Sequence, residues 1–175
     1  GGLVIRQDWL EDLGLAMPET IEEWHTVLTA FKEKKGATAP LAIGNDALIV
    51  GAFTGAFGFT LDFYREGDEI HYGPVEPGFK DFLATMHQWY EEGLYDNNFS
   101  TTDAAARTAN MLNGKTGVVY GGLGGTIGAL MTAATDPNFK VTGAPYPTHA
   151  KGVRPMFGQA TNPVSQVAAI STKCK

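Results

Sequence analysis

The stretch Gly117–Met131, GVVYGGLGGTIGALM, decides how this chain folds. Its opening VVY has the β-branched and aromatic composition of a buried strand. Its last residues, TIGALM, carry apolar side chains at helical spacing. Between the two stand four glycines and one leucine. A strand passing into a helix through glycine forms half of a βα unit, and such turns let a ligand, often a phosphate, approach the main chain. Two phosphate readings fail on spacing. A P-loop needs a lysine followed by Ser or Thr after its second glycine, whereas Lys115 precedes the strand and nothing basic follows the loop. The dinucleotide fingerprint fails as well, because Gly122-Leu123-Gly124-Gly125-Thr126-Ile127 lacks the third glycine. Two readings remain: a tight turn with no ligand, or a bare wall for a neutral, hydroxyl-rich one.

Working outward, strands alternate with helices. GLVIRQDWL is a strand candidate at Leu3–Ile5 running into a helix that Asp8 could cap and Gly14 stops. In PETIEEWHTVLTAFKEKKG, Thr20 and Glu23 have the spacing of a capping box, and Ile21, Trp24, Val27, Leu28 and Phe31 form one apolar stripe. APLAIGND reads as a buried strand. ALIVGAFTGAFGF reads as a buried, partly helical segment packed through Gly51 and Gly55. LDFYREGDEIHYGP has the form of a hairpin turning at Arg65–Asp68. FKDFLATMHQWYEEG is an amphipathic helix with Phe79, Phe82, Leu83, Met86 and Tyr90 on its stripe, and a further helix spans Asp103 to Leu112. FKVTGAPYP and VSQVAAIST supply later strands. The pattern predicts a single α/β domain over 1–175, a layered mixed and mostly parallel sheet flanked by helices.

Composition excludes several function classes. The 175 residues carry a net charge of −6 and an estimated pI of 5.1. Sequence-independent nucleic-acid binding needs a basic face that releases counterions, so no nucleic-acid partner is expected. No apolar run approaches the ~18–20 residues that cross a bilayer. A single cysteine, Cys174, permits neither an internal disulfide nor a metal cluster. Both ends are abrupt, and the chain reads as an excised piece of a longer polypeptide. On that reading strands Leu3–Ile5 and Val167–Ile170 become open edges, and the isolated fragment is expected to self-associate or to be only marginally stable, and to bind sugars poorly on its own.

Catalytic constellations are weak. His25, His71, His87 and His149 are scattered, no G-x-S-x-G elbow occurs, and Glu22-Glu23 and Glu91-Glu92 fit solvated helix faces. Trp9, Trp24 and Trp89 fall on apolar stripes and read as core. Phe53, Phe57, Phe59 and Tyr120 lie nearer loop ends, where a ring either packs inward or stacks on a sugar. An enzyme holding an anionic cofactor at the glycines, a peptide-binding protein and a stand-alone interaction domain are the alternatives to a sugar-binding module.

The order of segments is more specific than any one motif. LVIRQDWLEDLGLAMPETIEEWHTVLTAFKEK resembles a stretch of the family 1 extracellular solute-binding proteins of bacterial ABC importers: strand, Arg-x-Asp, leucine-rich helix, Gly, Pro, then Thr-x-x-Glu-Trp opening a long helix. FLATMHQWYEEGLYDNNFST, MLNGKTGVVYGG and VSQVAAISTKCK are similar to later segments of that family, in the same order. IRQDWLEDLGL with GGLGGTIG is similar to its lipoprotein branch, which includes proteins for large or acidic oligosaccharides.

The resemblance implies most of the C-terminal lobe of a type II periplasmic-binding-protein fold, non-catalytic and without cofactor. It implies a carbohydrate ligand held between two lobes and ABC permease subunits as partners. It also implies an extracytoplasmic location, with membrane attachment only through a lipid anchor upstream. Ligands of open α/β sheets sit at the carboxyl ends of strands. The expected ligand-binding residues are therefore Asn45, Asp46, Phe53, Phe57, Tyr120, Gly121, Gly122, Leu123, Gly124, Gly125, Gln159 and Asn162. Asn, Asp and Gln supply the paired donors and acceptors that vicinal hydroxyls need. Two departures qualify this. The stacking tryptophan that sugar-binding relatives place after the glycine strand is absent near Gly124. KEKKGATAPLA also stands where some relatives carry an acidic calcium loop, so no metal is expected there.

Overall fold

The computed structural model describes residues 1–156. Strand β1 (Gly2–Arg6) runs directly into α1 (Gln7–Leu13), which Gly14 closes in the left-handed region at φ 63°. Helix α2 (Ile21–Lys35) starts on the expected box. Thr20 Oγ1 accepts from the Glu23 amide and the Glu23 carboxylate accepts from the Thr20 amide, both at 3.3 Å. There follow β2 (Leu41–Ala42), α3 (Asn45–Ile49) and a 3-10 turn at Thr54–Phe57. The hairpin β3 (Phe63–Glu66) and β4 (Glu69–Tyr72) turns at Gly67, whose φ of 62° suits the first central position of a two-residue loop. Helices α4 (Gly78–Glu91) and α5 (Ala104–Leu112) lead to β5 (Val118–Gly121), α6 (Ala129–Ala133) and β6 (Val141–Ala144).

The main sheet has the order β2-β5-β1-β6. Three of its strands point one way, and β1 lies reversed between β5 and β6. The α/β architecture is as expected, but among the described strands only β2 and β5 are parallel neighbours, because alternation along a strand does not encode its direction. β1 is also not an open edge, since it pairs on both sides. Val167–Ile170 lies outside the described residues.

Period-two alternation splits the interior. Leu3, Ile5, Val118 and Tyr120 face a core built with Trp9, Trp24, Phe31 and Trp89. Val4, Val119 and Val141 face a second core with Met111, Leu130 and Phe139. Helices α1, α2 and α4 thus cover one face of the sheet, and α5 and α6 the other. On α4 the buried residues are Phe82 and Trp89, while Leu83 turns outward, away from the expected stripe.

Asp8 does not cap α1. It is buried, and its oxygens accept from Arg6 Nε at 2.8 Å and Arg6 Nη2 at 2.6 Å. The guanidinium sits 4.3 Å from the Trp9 ring centre and 4.4 Å from that of Phe139, and Nη1 donates to the Met111 carbonyl. Leaving a buried cation unpaired costs about 3–5 kcal/mol, whereas a cap contributes about 1, so pairing prevails.

Phe53 bends the chain after α3. Its φ of 65° and ψ of −46°, with the Thr54 amide donating to the Ala52 carbonyl at 2.9 Å, make a γ-turn of the rarer hand. Such a conformation costs about 1–3 kcal/mol unless its surroundings enforce it. Here the ring is wedged edge-on between Trp24 and Trp89, at centroid distances of 5.3 and 5.6 Å. Thr54 Oγ1 fastens the turn to the Leu48 carbonyl at 3.1 Å.

Candidate functional site

β2 and β5 run side by side with Ala42 opposite Val119, so Asn45 and Gly122, each three residues further on, leave the sheet at one end. β6 ends there too, at Ala144, since β1 pairs antiparallel with both β5 and β6. This carboxyl end of the three co-directional strands is the end at which open α/β sheets hold ligands.

The glycines there do not form an open loop. Leu123–Gly128 is a π-helical turn continuing into α6, and the Gly122 carbonyl accepts from the amides of Thr126 and Ile127 at 2.9 and 3.2 Å. Gly121 is required by packing: a Cβ would collide with the Thr126 side chain, whose Oγ1 accepts from the Gly122 amide at 3.2 Å. Gly122, Gly124 and Gly125 are different. None has positive φ, and apart from the adjoining backbone no atom of the described residues lies within 4 Å of where a Cβ would stand. Within a helix each glycine costs about 0.5–1 kcal/mol relative to alanine. The fold of the described residues therefore gives no reason for Gly124 and Gly125. The amides of residues 123–125 lie in the first turn, where a helix leaves its donors without internal acceptors. The Leu123 side chain beside them is 81% exposed.

Asn45 and Asp46 open α3 and are both exposed. Behind Asp46 stands Arg107 of α5, with Nη1 3.6 Å from Asp46 Oδ1. The guanidinium lies so close over the Gly44 main chain that a methyl group there would be 2.5 Å from Nη2. Tyr95 fastens the preceding Ile43 carbonyl with its hydroxyl at 3.0 Å, and burial pushes the Tyr95 pKa up to about 12. Tyr120 is half-buried near the same end. Burial first, and the neighbouring Tyr120 phenol second, raise the pKa of Tyr146.

Two aromatic expectations change. Phe53 is 0% exposed, because its ring is the wedge between two tryptophans, so it offers no stacking face. Phe57 is partly buried and its ring meets Phe82 of α4 edge-on at 5.8 Å. Gln159 and Asn162 lie outside the described residues. The end of the sheet thus assembles Asn45, Asp46, Tyr120 and residues 121–125. Sequence reasoning missed Arg107, although it is the single charge in the helix AAARTANML.

At the opposite end of the sheet a pocket of about 360 Å³ is lined by charged residues of α1, α2 and the start of β6. It is satisfied within itself, through Arg6 with Asp8, Lys35 with Asp12 at 2.8 Å, and Lys140 with Glu11 at 3.1 Å. Among the described residues no three His, Cys, Asp or Glu side chains converge as metal ligands, and no helix is long and apolar enough to cross a membrane.

Asn45, Asp46 and the amides of 123–125 thus lie at the carboxyl ends of β2 and β5 in a mixed α/β domain. The model of the bacterial extracellular solute-binding protein family matches residues 1–175, and the chain belongs to that family. This family is non-catalytic. Among curated relatives, the polygalacturonan/rhamnogalacturonan-binding protein YtcQ of Bacillus subtilis is 30% identical over 149 residues, covering 80% of this chain and 30% of that protein. Lipoprotein LipO of the same organism is 30% identical over 133 residues, covering 67% and 26%. The chain thus spans under a third of the length of these relatives. Among solved structures, the alginate-binding protein AlgQ2 superposes with a TM-score of 0.73 at 29% identity, covering 93% of this chain and 38% of that one.

Proposed function

We propose that this chain is one lobe of the two-lobed solute-binding component of a bacterial ABC importer, and that it supplies one wall of a cleft for an oligosaccharide. The observation that carries this reading is the placement of Asn45, Asp46 and the first-turn amides of 123–125 at one end of the sheet, beside glycines that the fold of the described residues does not require. Neutral hydroxyls suit such a wall, because exposed amides donate while Asn and Asp side chains accept. The printed names of the relatives, polygalacturonan/rhamnogalacturonan-binding and alginate-binding, favour a saccharide over a peptide. The ligand passes from the cleft to the membrane permease without chemical change. The protein works outside the cytoplasmic membrane, and the lipoprotein relative favours a lipid anchor. Calorimetric titration of the complete polypeptide carrying this chain with neutral and uronic-acid oligosaccharides tests the proposal. Saccharide binding is expected; binding of peptides or nucleotides with no saccharide affinity would overturn it.

A further inference from the structure

We infer that Arg107 is a positioning residue of this cleft: it holds the Asp46 carboxylate so that Asp46 reads a pair of hydroxyls on adjacent ring carbons of the sugar. This rests on the saccharide reading above. The Arg107 side chain is only 12% exposed and its Nε has no hydrogen-bond partner among the described residues, whereas the Asp46 side chain is 58% exposed. The guanidinium is a fixture of the lobe, pinned over the Gly44 main chain, and the carboxylate is the part that solvent or ligand can reach. At 3.6 Å the pair is in ion-pair range but longer than a hydrogen bond, so Asp46 Oδ1 is oriented without being used up. A carboxylate steadied in this way retains acceptor sites for two vicinal hydroxyls.

The test uses the complete polypeptide and, as probes, stachyose, nystose, trigalacturonate and an alginate trisaccharide, titrated calorimetrically. With whichever probe binds, Asp46→Asn is expected to weaken affinity at least tenfold, and Arg107→Met nearly as much. The double variant should be no more than about twofold weaker than Asp46→Asn alone, because one residue acts through the other. Arg107→Lys, which keeps the charge and guards against a folding failure, should recover most of the affinity. Replacing the bound sugar by analogues lacking one hydroxyl of each adjacent pair should identify one pair whose loss matters in the parent and not in Asp46→Asn. Additive losses, an unchanged affinity in Arg107→Met, or no hydroxyl pair that depends on Asp46 would each overturn the inference while leaving the saccharide reading intact. Failure of every saccharide to bind would overturn both.

Discussion

Replacing Gly124 and Gly125 by alanine separates what the fold needs from what a ligand needs. Both sit in the helical turn Leu123–Gly128, neither has positive φ, and apart from the adjoining backbone a Cβ on either meets no atom of the described residues within 4 Å. Alanine removes the excess backbone freedom of glycine in the unfolded chain, so each substitution should stabilise by about 0.5–1 kcal/mol. Together they should give about 1–2 kcal/mol, a rise in melting temperature of about 2–8 °C for a domain of this size. Affinity should move the other way, because each methyl stands where a ligand would meet the amides of 123–125; a loss of tenfold or more is expected. Thermal melts and titration calorimetry on the same samples read both quantities. If the double variant melts lower than the parent, these glycines are not helical in solution. If affinity is unchanged, the ligand does not approach this wall.

Asp8→Asn should destabilise by about 3–5 kcal/mol in urea titration, since it leaves the buried Arg6 charge without its counter-ion; a change below 1 kcal/mol would show that water replaces Asp8. Thr20→Ala should cost about 1 kcal/mol in the same assay through loss of the capping box on α2, with ligand affinity untouched. The Tyr95 pKa is raised from 10.0 to about 12 by burial, so the folded state retains a proton that the unfolded chain releases first. This stabilisation is whole below pH 10 and declines as pH climbs towards 12, by about 2–3 kcal/mol in total. Tyr95→Phe should flatten that alkaline loss while costing about 1 kcal/mol at neutral pH for the bond to Ile43.

Features written in nearby residues were legible in the sequence. The box on α2 needs only Thr20 and Glu23, and the hairpin needs only a glycine between two strand-like runs. The reversal of β1 was not legible, because its neighbours β5 and β6 lie more than a hundred residues along the chain. The partnership of Arg6 and Asp8 escaped for the same reason: what buries the guanidinium is Met111 and Phe139. In the candidate site, Asn45, Asp46 and the glycine segment followed from the rule for strand ends, and the register of β2 on β5 brings them to one end. Phe53 was misplaced because a ring near a loop gives no sign of direction. Arg107 was overlooked because a lone arginine in an alanine-rich helix resembles a solvated one until Gly44 and Asp46 are set against it.

The turn at Phe53 bears on the thermodynamics of capture. α3 is held at one end by β2 and at the other by a backbone bend that three aromatic rings lock in place. Asn45 and Asp46 therefore ride on a segment whose backbone entropy has already been surrendered during folding, and the strain at Phe53 is borne by the core rather than by the ligand. A solute arriving at this wall would not have to order it. On the proposed two-lobed reading, the entropic penalty of binding falls mainly on closure of the cleft, so that affinity and the speed of lobe movement can change separately without any alteration of the wall itself.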